Sequence, residues 1–259
     1  MRINIFQSDI ERMRDAAIRR EASNSKTVVD YSTVSVCGAT GPGDVAQDVL
    51  CNASYASCSE TNDAIGAGPA MNVYRRFTDR AGTPVDGPRG DWELVGTTCL
   101  PSLLPGVGRQ PTLAMIREAF RDTDFSVPTV NIQPEGDVTL VNLPTFFEVV
   151  LPEEGYGPDE VDQIQLLGYD IEVRPRLKSV TYHLGEETVG PTKDLGGPYP
   201  SGSIVHTYAR AGEVPVQVDI VYTGEFRVGG SGWIDIPGEV DLDGDPVTLT
   251  VREAKSRLY

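Results

Sequence analysis

Two kinds of apolar pattern run along the chain. Ile10, Met13 and Ala17 recur at helical spacing with Ile18 beside them, and Leu113, Ile116 and Phe120 do so again further on. Almost everywhere else, apolar residues alternate with polar ones or come in short β-branched runs. The first helix has readable boundaries. Ser8 is placed to cap it, Glu11 completes a Ser-x-x-Glu capping box, and Phe6 precedes the cap as a hydrophobic staple. Its stripe predicts packing on its own domain, with docking onto a neighbouring subunit as the alternative. The second helix is expected over residues 112–122, with Pro111 at its first turn.

The β-like runs organise the rest. Residues 28–36 form the first, rich in Val and Thr. Residues 38–69, rich in Gly, Ala, Ser, Asn and Asp, predict a long irregular loop. Residues 71–77 and 92–98 then predict a hairpin whose tip, 79–90, is dense in Gly, Pro and Asp. Residues 101–111, with Pro105, Gly106 and Gly108, read as a linker. After the second helix, short strands at 130–132, 138–141 and 146–150 precede an acidic loop at 152–162 and alternating strands from 169 to 251. Frequent short strands with Gly and Pro between them predict a sandwich rather than a parallel sheet. The expected organisation is a small α+β domain over 1–105, a linker and short helix over 106–125, and an all-β region over 126–259.

Cysteine usage sharpens this. Cys37, Cys51, Cys58 and Cys99 all lie in the first hundred residues, an even count that predicts a disulfide-stapled domain and an oxidising compartment. Of the three pairings, Cys51–Cys58 with Cys37–Cys99 is preferred, because the outer two cysteines end β-like runs. A four-cysteine zinc site is the rival, but it would use close Cys-x-x-Cys pairs, which this spacing lacks.

The formal charge of −16 carries no basic stripe, which argues against a nucleic-acid partner. Only four of the 22 basic residues are lysine, a bias expected of a high-GC bacterial coding sequence. No stretch approaches the roughly 18 apolar residues that would span a bilayer. Asp9, Glu11, Arg12, Arg14 and Asp15 interrupt the region where a secretory signal would keep an unbroken apolar core, so the first residues are not read as a signal peptide.

Two phrases carry a family likeness. Tyr182, Leu184 and Gly185 follow one another as an aromatic on a strand running into a Gly turn, with Glu186 and Glu187 where the family has Asp and Gly. His206, Tyr208 and Gly212 are followed by alternating Val214, Val216, Val218 and Ile220. Together these resemble the two signature segments of a PKD domain, over about residues 171–251. The resemblance implies an immunoglobulin-like β-sandwich in an extracellular or cell-surface protein. The wider chain resembles exported proteins of high-GC Gram-positive bacteria, some encoded near pilus-assembly genes. The expected fold is therefore mainly β, a PKD-like sandwich preceded by a disulfide-stapled α+β domain.

Candidate chemistry is sparse. His183 and His206, the only histidines, both fall in the signature phrases and read as hydrogen-bonded parts of a scaffold rather than as a metal pair or general base. Asp241, Asp243 and Asp245, around Leu242 and Gly244, have part of the spacing of a calcium loop. Gly244 precedes the third acid and Arg252 stands where the terminal Glu belongs, so an Asp-Gly turn is the expectation and calcium the alternative. Tyr199-Pro200, Trp92 and Trp233 are either turn anchors or a stacking surface for sugars. These readings predict a protein that binds protein partners or itself, through sandwich edges and the N-terminal helix, with no resident cofactor. A carbohydrate-binding module is the alternative, and a hydrolase whose site is assembled from distant residues is the third reading.

Overall fold

A computed structural model describes residues 4–37, 41–44, 58, 68–228 and 232–254. The protein is mainly β, with helices α1 (Gln7–Ala22) and α2 (Leu113–Arg121) and thirteen strands among the described residues. It divides into two compact units, each drawn from three separate stretches of chain. Unit 1 takes residues 1–122, 162–173 and 225–237; unit 2 takes 123–161, 174–224 and 238–259.

Unit 1 is built on an antiparallel sheet of order β1 (Thr27–Ser35), β2 (Met71–Asp79), β3 (Glu93–Thr98). The hairpin forms where the alternating runs predict it, with Met71 opposite Thr98. Helix α1 turns Ile10 into a cluster with Ile5, Val73, Leu100 and Leu104, and Met13 packs against it. The apolar stripe is therefore spent on the unit's own core, while Ile18 stays exposed. The helix starts two residues earlier than a Ser8 cap would allow. Phe6 is the N-cap and its backbone N–H donates to Asp9 Oδ2 at 2.9 Å. An acid three residues into the helix thus supplies the reciprocal half of a capping box, and Phe6, largely exposed, does not act as a staple. Residues 101–111 contribute Leu104 to the same core, and Gln110 is buried against Thr33. Helix α2 is capped by Thr112, whose hydroxyl accepts from Met115 N, and buries Leu113, Ile116 and Phe120.

The disulfide joins Cys58 to Cys99, not Cys51 to Cys58 or Cys37 to Cys99. Sheet order gives the reason. Ser35 and Thr98 both pair with Met71, so Cys37 and Cys99 leave the sheet two strands apart, about 10 Å, beyond the reach of a disulfide. The chain entering β2 instead runs beside Cys99, whose carbonyl accepts from Gly68 N at 2.8 Å. Cys37 is also disulfide-bonded, and Cys51, like most of the expected 38–69 loop, lies outside the described residues.

Unit 2 carries β4 (Thr129–Gln133), β5 (Val138–Leu140), β6 (Thr145–Val150), β9 (Glu187–Thr192), β10 (Ile204–His206) and β13 (Val247–Arg252), with parts of longer strands. One sheet has the order β10-β6-β4. The other runs β5-β13-β11-β8-β7, where β7 is Asp162–Leu166, β8 is Tyr169–Leu184 and β11 is Gly212–Val228; β12 (Ile234–Asp243) pairs with β11 and β9 with β8. Strand β11 pairs antiparallel with β13, and β8 antiparallel with β7 and β9, whereas β5 pairs parallel with β13. Period-two burial of Val216, Val218, Ile220 and Tyr222 follows the sequence pattern closely, because one face of the strand meets the core. Phe147, Val180, Tyr182, Leu184 and Leu249 complete that core.

Candidate functional site

The signature residues meet at one end of unit 2. Strands β8 and β9 form a hairpin in which Leu184 faces Glu187 across a turn of Gly185 and Glu186. Gly185 has φ 87° and Glu186 does not share a positive φ, the arrangement of a type II′ turn, which needs glycine at its first central position only. That is why Glu187, where the family has Gly, does not disturb it. A Cβ on Gly185 would also lie 2.6 Å from Val214 Cγ1, so the turn packs directly on the strand of the second signature.

His206 Nδ1 lies 2.8 Å from Glu187 Oε2, and its ring stands edge-on to Tyr208 with centroids 4.5 Å apart. His183 Nε2 lies 2.7 Å from Asp219 Oδ2. The other oxygen of Asp219 accepts from Gln217 Nε2 at 2.8 Å and from Gly244 N at 3.3 Å. Each histidine therefore has its own carboxylate, and the Asp219 carboxylate ties β8, β11 and the turn after β12 together. Among the described residues, neither pair has a hydroxyl or thiol hydrogen-bonded to the histidine. Tyr208, Gly212 and the flanking residues 184–187 and 206–215 line an open cleft of about 940 Å³. Tyr208 is buried and its hydroxyl has no hydrogen-bond partner among the described residues. Burial, with the Glu187 charge second, pushes its pKa up to about 12.

Asp241 and Asp243 point the same way from β12, and Asp245 follows Gly244; all three acids are exposed. Among the described residues no group of three or more His, Cys, Asp or Glu is arranged to hold a metal ion. Gly244 has a packing role instead. A Cβ there would meet Val218 O at 2.3 Å and Pro128 O at 2.5 Å, so only glycine lets this turn lie against the sheet.

The aromatics separate into two sorts. The Arg76 guanidinium covers the ring of Trp92 at 4.2 Å, and Arg227 covers Trp233, itself buried, at 4.6 Å. Tyr199 is 69% exposed. Its backbone N–H donates to Gln133 Oε1 at 2.7 Å and its ring meets Phe146 edge-on at 5.4 Å. Gln133, Pro134, Glu135, Leu143, Pro144 and Phe146 surround it in a depression of about 430 Å³. The loop that carries Tyr199 is itself pinned: Asp194 Oδ1 accepts from Gly196 N at 3.0 Å and from Ser203 Oγ at 2.7 Å. Gly197 N and Gly202 N add backbone bonds to Phe147 O and Pro198 O. A side chain at Gly196 would strike Phe147 O at 2.0 Å. Sequence reading singled out Tyr199 but none of its companions, which come from two separate stretches, residues 133–135 and 143–146. Pro134 and Pro144, which line the depression with Phe146, are the local hint.

Chemically, this arrangement offers a rigid aromatic, an apolar floor and an acidic rim at Glu135. Such a surface can hold a ligand, and it places no acid–base pair on it. Comparison of the chain with protein-family models, with curated proteins and with solved structures gives no match.

Proposed function

We propose that this chain is a non-enzymatic interaction protein that works outside the cell or at its surface, in an appendage or filament, with unit 2 as a PKD-like, immunoglobulin-like sandwich. The II′ turn at Gly185, the buried Tyr182 and Tyr208 and the alternating valines of β11 support the fold reading. The disulfide supports an oxidising location, and no described helix is long and apolar enough to cross a membrane.

One observation carries the interaction reading: Tyr199 is held outward by Gln133 and Phe146 over an apolar depression. A mobile exposed tyrosine loses rotamer freedom when it binds, whereas a pre-oriented one contributes area at low entropic cost, which is why such residues anchor protein interfaces. The same exposure favours a second reading, stacking on the face of a pyranose ring in a polysaccharide.

Retention of the wild-type chain and of Tyr199→Ala on cell-envelope preparations, with a polysaccharide array alongside, separates the two. The interaction reading expects retention that is lost when the envelope is treated with protease and falls about tenfold in Y199A, the loss typical of a tyrosine hot spot. Retention that survives protease and is reproduced on a polysaccharide establishes the carbohydrate reading. No retention on either material sinks both.

A further inference from the structure

The cations of unit 1 divide into those that hold an acid and those that do not. Arg12, Arg75 and Arg76 are paired, with Asp9, Glu93 and Asp30. Arg20, Lys26, Arg80 and Arg89 make no ion pair among the described residues, in a chain with 38 acidic residues. These four converge on one end of the β1-β2 pair. Arg89 and Arg20 both stand over the half-buried ring of Phe77, at 4.1 Å and 5.1 Å from its centroid. The hairpin tip brings Arg89 there by folding back, so that Phe77 N donates to Arg89 O at 2.8 Å and Val85 N to Phe77 O at 3.0 Å. Arg20 comes from the last turn of α1. Arg80 Nε donates to Ser25 O at 3.1 Å while Ser25 N donates to Arg20 O, which sets Arg80 beside the end of the helix, with Lys26 next in the chain. The acids on the same segments leave the cluster uncompensated. Asp79 Oδ1 accepts from Ala81 N and Thr83 N to close a turn, and Glu21 and Asp86 make no ion pair among the described residues.

The negative end of the α1 dipole accounts for basic residues in the helix's own last turn, Arg19 and Arg20, but not for Arg80 and Arg89, which stand on the hairpin. Two guanidiniums on one ring are at most about 9 Å apart and repel, and an anion between them removes that repulsion. Unit 2 has the converse feature. Asp241 and Asp243 project from the same side of β12, Asp245 follows, and none of the three makes a hydrogen bond or ion pair among the described residues. Glu239, two residues before them, does have a cation, Lys178. Positions two apart on a strand are about 7 Å apart, which fits between the guanidiniums on Phe77. The imbalance extends along the chain: residues 1–122 hold 13 of the 22 basic residues and 15 of the 38 acidic ones, leaving 9 basic against 23 acidic in the rest.

We propose that the arginines on Phe77, with Lys26 and Arg80 beside them, receive the Asp241, Asp243 and Asp245 stripe of a second copy of this chain. Charge complementarity and matched spacing select that occupant, and the stripe is itself without a cation. Stacking on Phe77 restricts both guanidiniums before the partner arrives, so less side-chain entropy is lost when they meet carboxylates. Arginine presents several N–H donors to a carboxylate at once, which a lysine does not. The contact uses different surfaces on the two copies, so it is heterologous: it closes as a ring or continues as a filament. It lies on surfaces that the Tyr199 contact does not use and goes beyond that contact.

Sedimentation velocity of the full chain over a range of concentrations, in about 50 mM and about 500 mM salt, tests this. Species larger than the monomer are expected to grow with concentration at low salt and to disperse at high salt, where exposed charges are screened. The double variants Arg20→Gln/Arg89→Gln and Asp241→Asn/Asp243→Asn, each checked for folding by circular dichroism, should each associate at least about tenfold more weakly than the wild type. An equimolar mixture of the two variants should form one-to-one pairs and stop there, because only the arginines of one and the aspartates of the other remain. A loss of folding in either variant could not produce that rescue. A monomer at every concentration in low salt, association that survives high salt, or a mixture no more associated than its components overturns the proposal. So does association lost in the arginine variant but untouched in the aspartate variant, which would give the cluster a different anion. If self-association fails while Y199A still weakens envelope retention, this contact falls and the interaction reading stands; the opposite pattern separates them the other way.

Discussion

Three core tyrosines of unit 2 share a burial but not a hydrogen-bonding state. Tyr182 donates to Asp194 O at 2.9 Å, whereas the hydroxyls of Tyr208 and Tyr222 have no partner among the described residues. A buried hydroxyl with a partner contributes about 1 kcal/mol, and one without costs about as much or more. Tyr182→Phe is therefore expected to lower the urea midpoint, while Tyr222→Phe leaves it unchanged or raises it. The pH dependence has a definite sign. Burial raises the pKa of Tyr208 and Tyr222 to about 12 from 10.0, with Glu187 and Glu160 adding to it. Between those values the unfolded chain releases protons that the folded protein keeps, so stability is full below about pH 10 and falls as pH rises towards 12. Urea titrations from about pH 8 to about pH 11.5 should show that decline, and Y208F or Y222F should flatten it; an equal decline in both variants would refute the assignment. The phase of the alternating Val214 to Ile220 run carries on to Tyr222, although the sequence reading did not extend it that far. Hydrogen-bond partners were not legible, because a hydroxyl is satisfied by whichever backbone the fold brings near.

Among whole elements, periodicity located what existed but not how it was fastened. Alternation placed β1, β2 and β3, and the stripe of Leu113, Ile116 and Phe120 placed α2 within a residue of its bounds. The first cap went to Phe6 because Asp9 lies at the position from which a carboxylate reaches back to the N-cap N–H, a choice that a Ser and a Glu nearby obscure. The disulfide was misread for a similar reason: proximity in a sheet depends on strand order, and β2 stands between the ends of β1 and β3. A 41-residue separation makes Cys58–Cys99 worth about 4 kcal/mol in the chain-entropy account. Peptide mapping under non-reducing conditions is expected to recover that pair, and Cys58→Ser to lower the unfolding temperature by several degrees in the oxidised protein but not in the fully reduced one. Recovery of Cys37 joined to Cys99 would contradict the sheet order itself.

At the scale of the molecule, neither unit is a continuous length of chain. Strands β8 and β11 each begin in one unit and end in the other, so residues 169–173 and 225–228 serve unit 1 while 174–184 and 212–224 serve unit 2. Linear sequence hides this because a strand that changes allegiance keeps alternating. Strand β8 gives one sign of it: buried positions fall on Ile171, Val173 and Pro175, then on Val180, Tyr182 and Leu184, a slip of one residue in phase. The consequence can be tested by cutting. A fragment of residues 1–125 keeps β1 to β3 and both helices but loses β7, Ile171, Val173, Phe226, Trp233, Ile234 and Ile236, all of them in unit 1 and most of them buried. Each large apolar side chain withdrawn from a core costs about 2–5 kcal/mol, and a domain is stable by only about 5–15 kcal/mol, so the loss of several exceeds what the unit has. The fragment is expected to be unfolded or aggregated by circular dichroism and amide NMR dispersion, even with Cys58–Cys99 intact. The complementary fragment 126–259 keeps the bulk of unit 2 but carries 162–173 and 225–237 without their partners, exposing Phe226, Trp233 and Ile236; it should bind hydrophobic dyes and self-associate. Adding the 1–125 fragment to it before folding should restore a soluble, cooperative species, because the missing stretches are then supplied in trans. A cooperatively melting 1–125 fragment on its own would show that unit 1 does not need its inserted strands and would remove this account of the architecture.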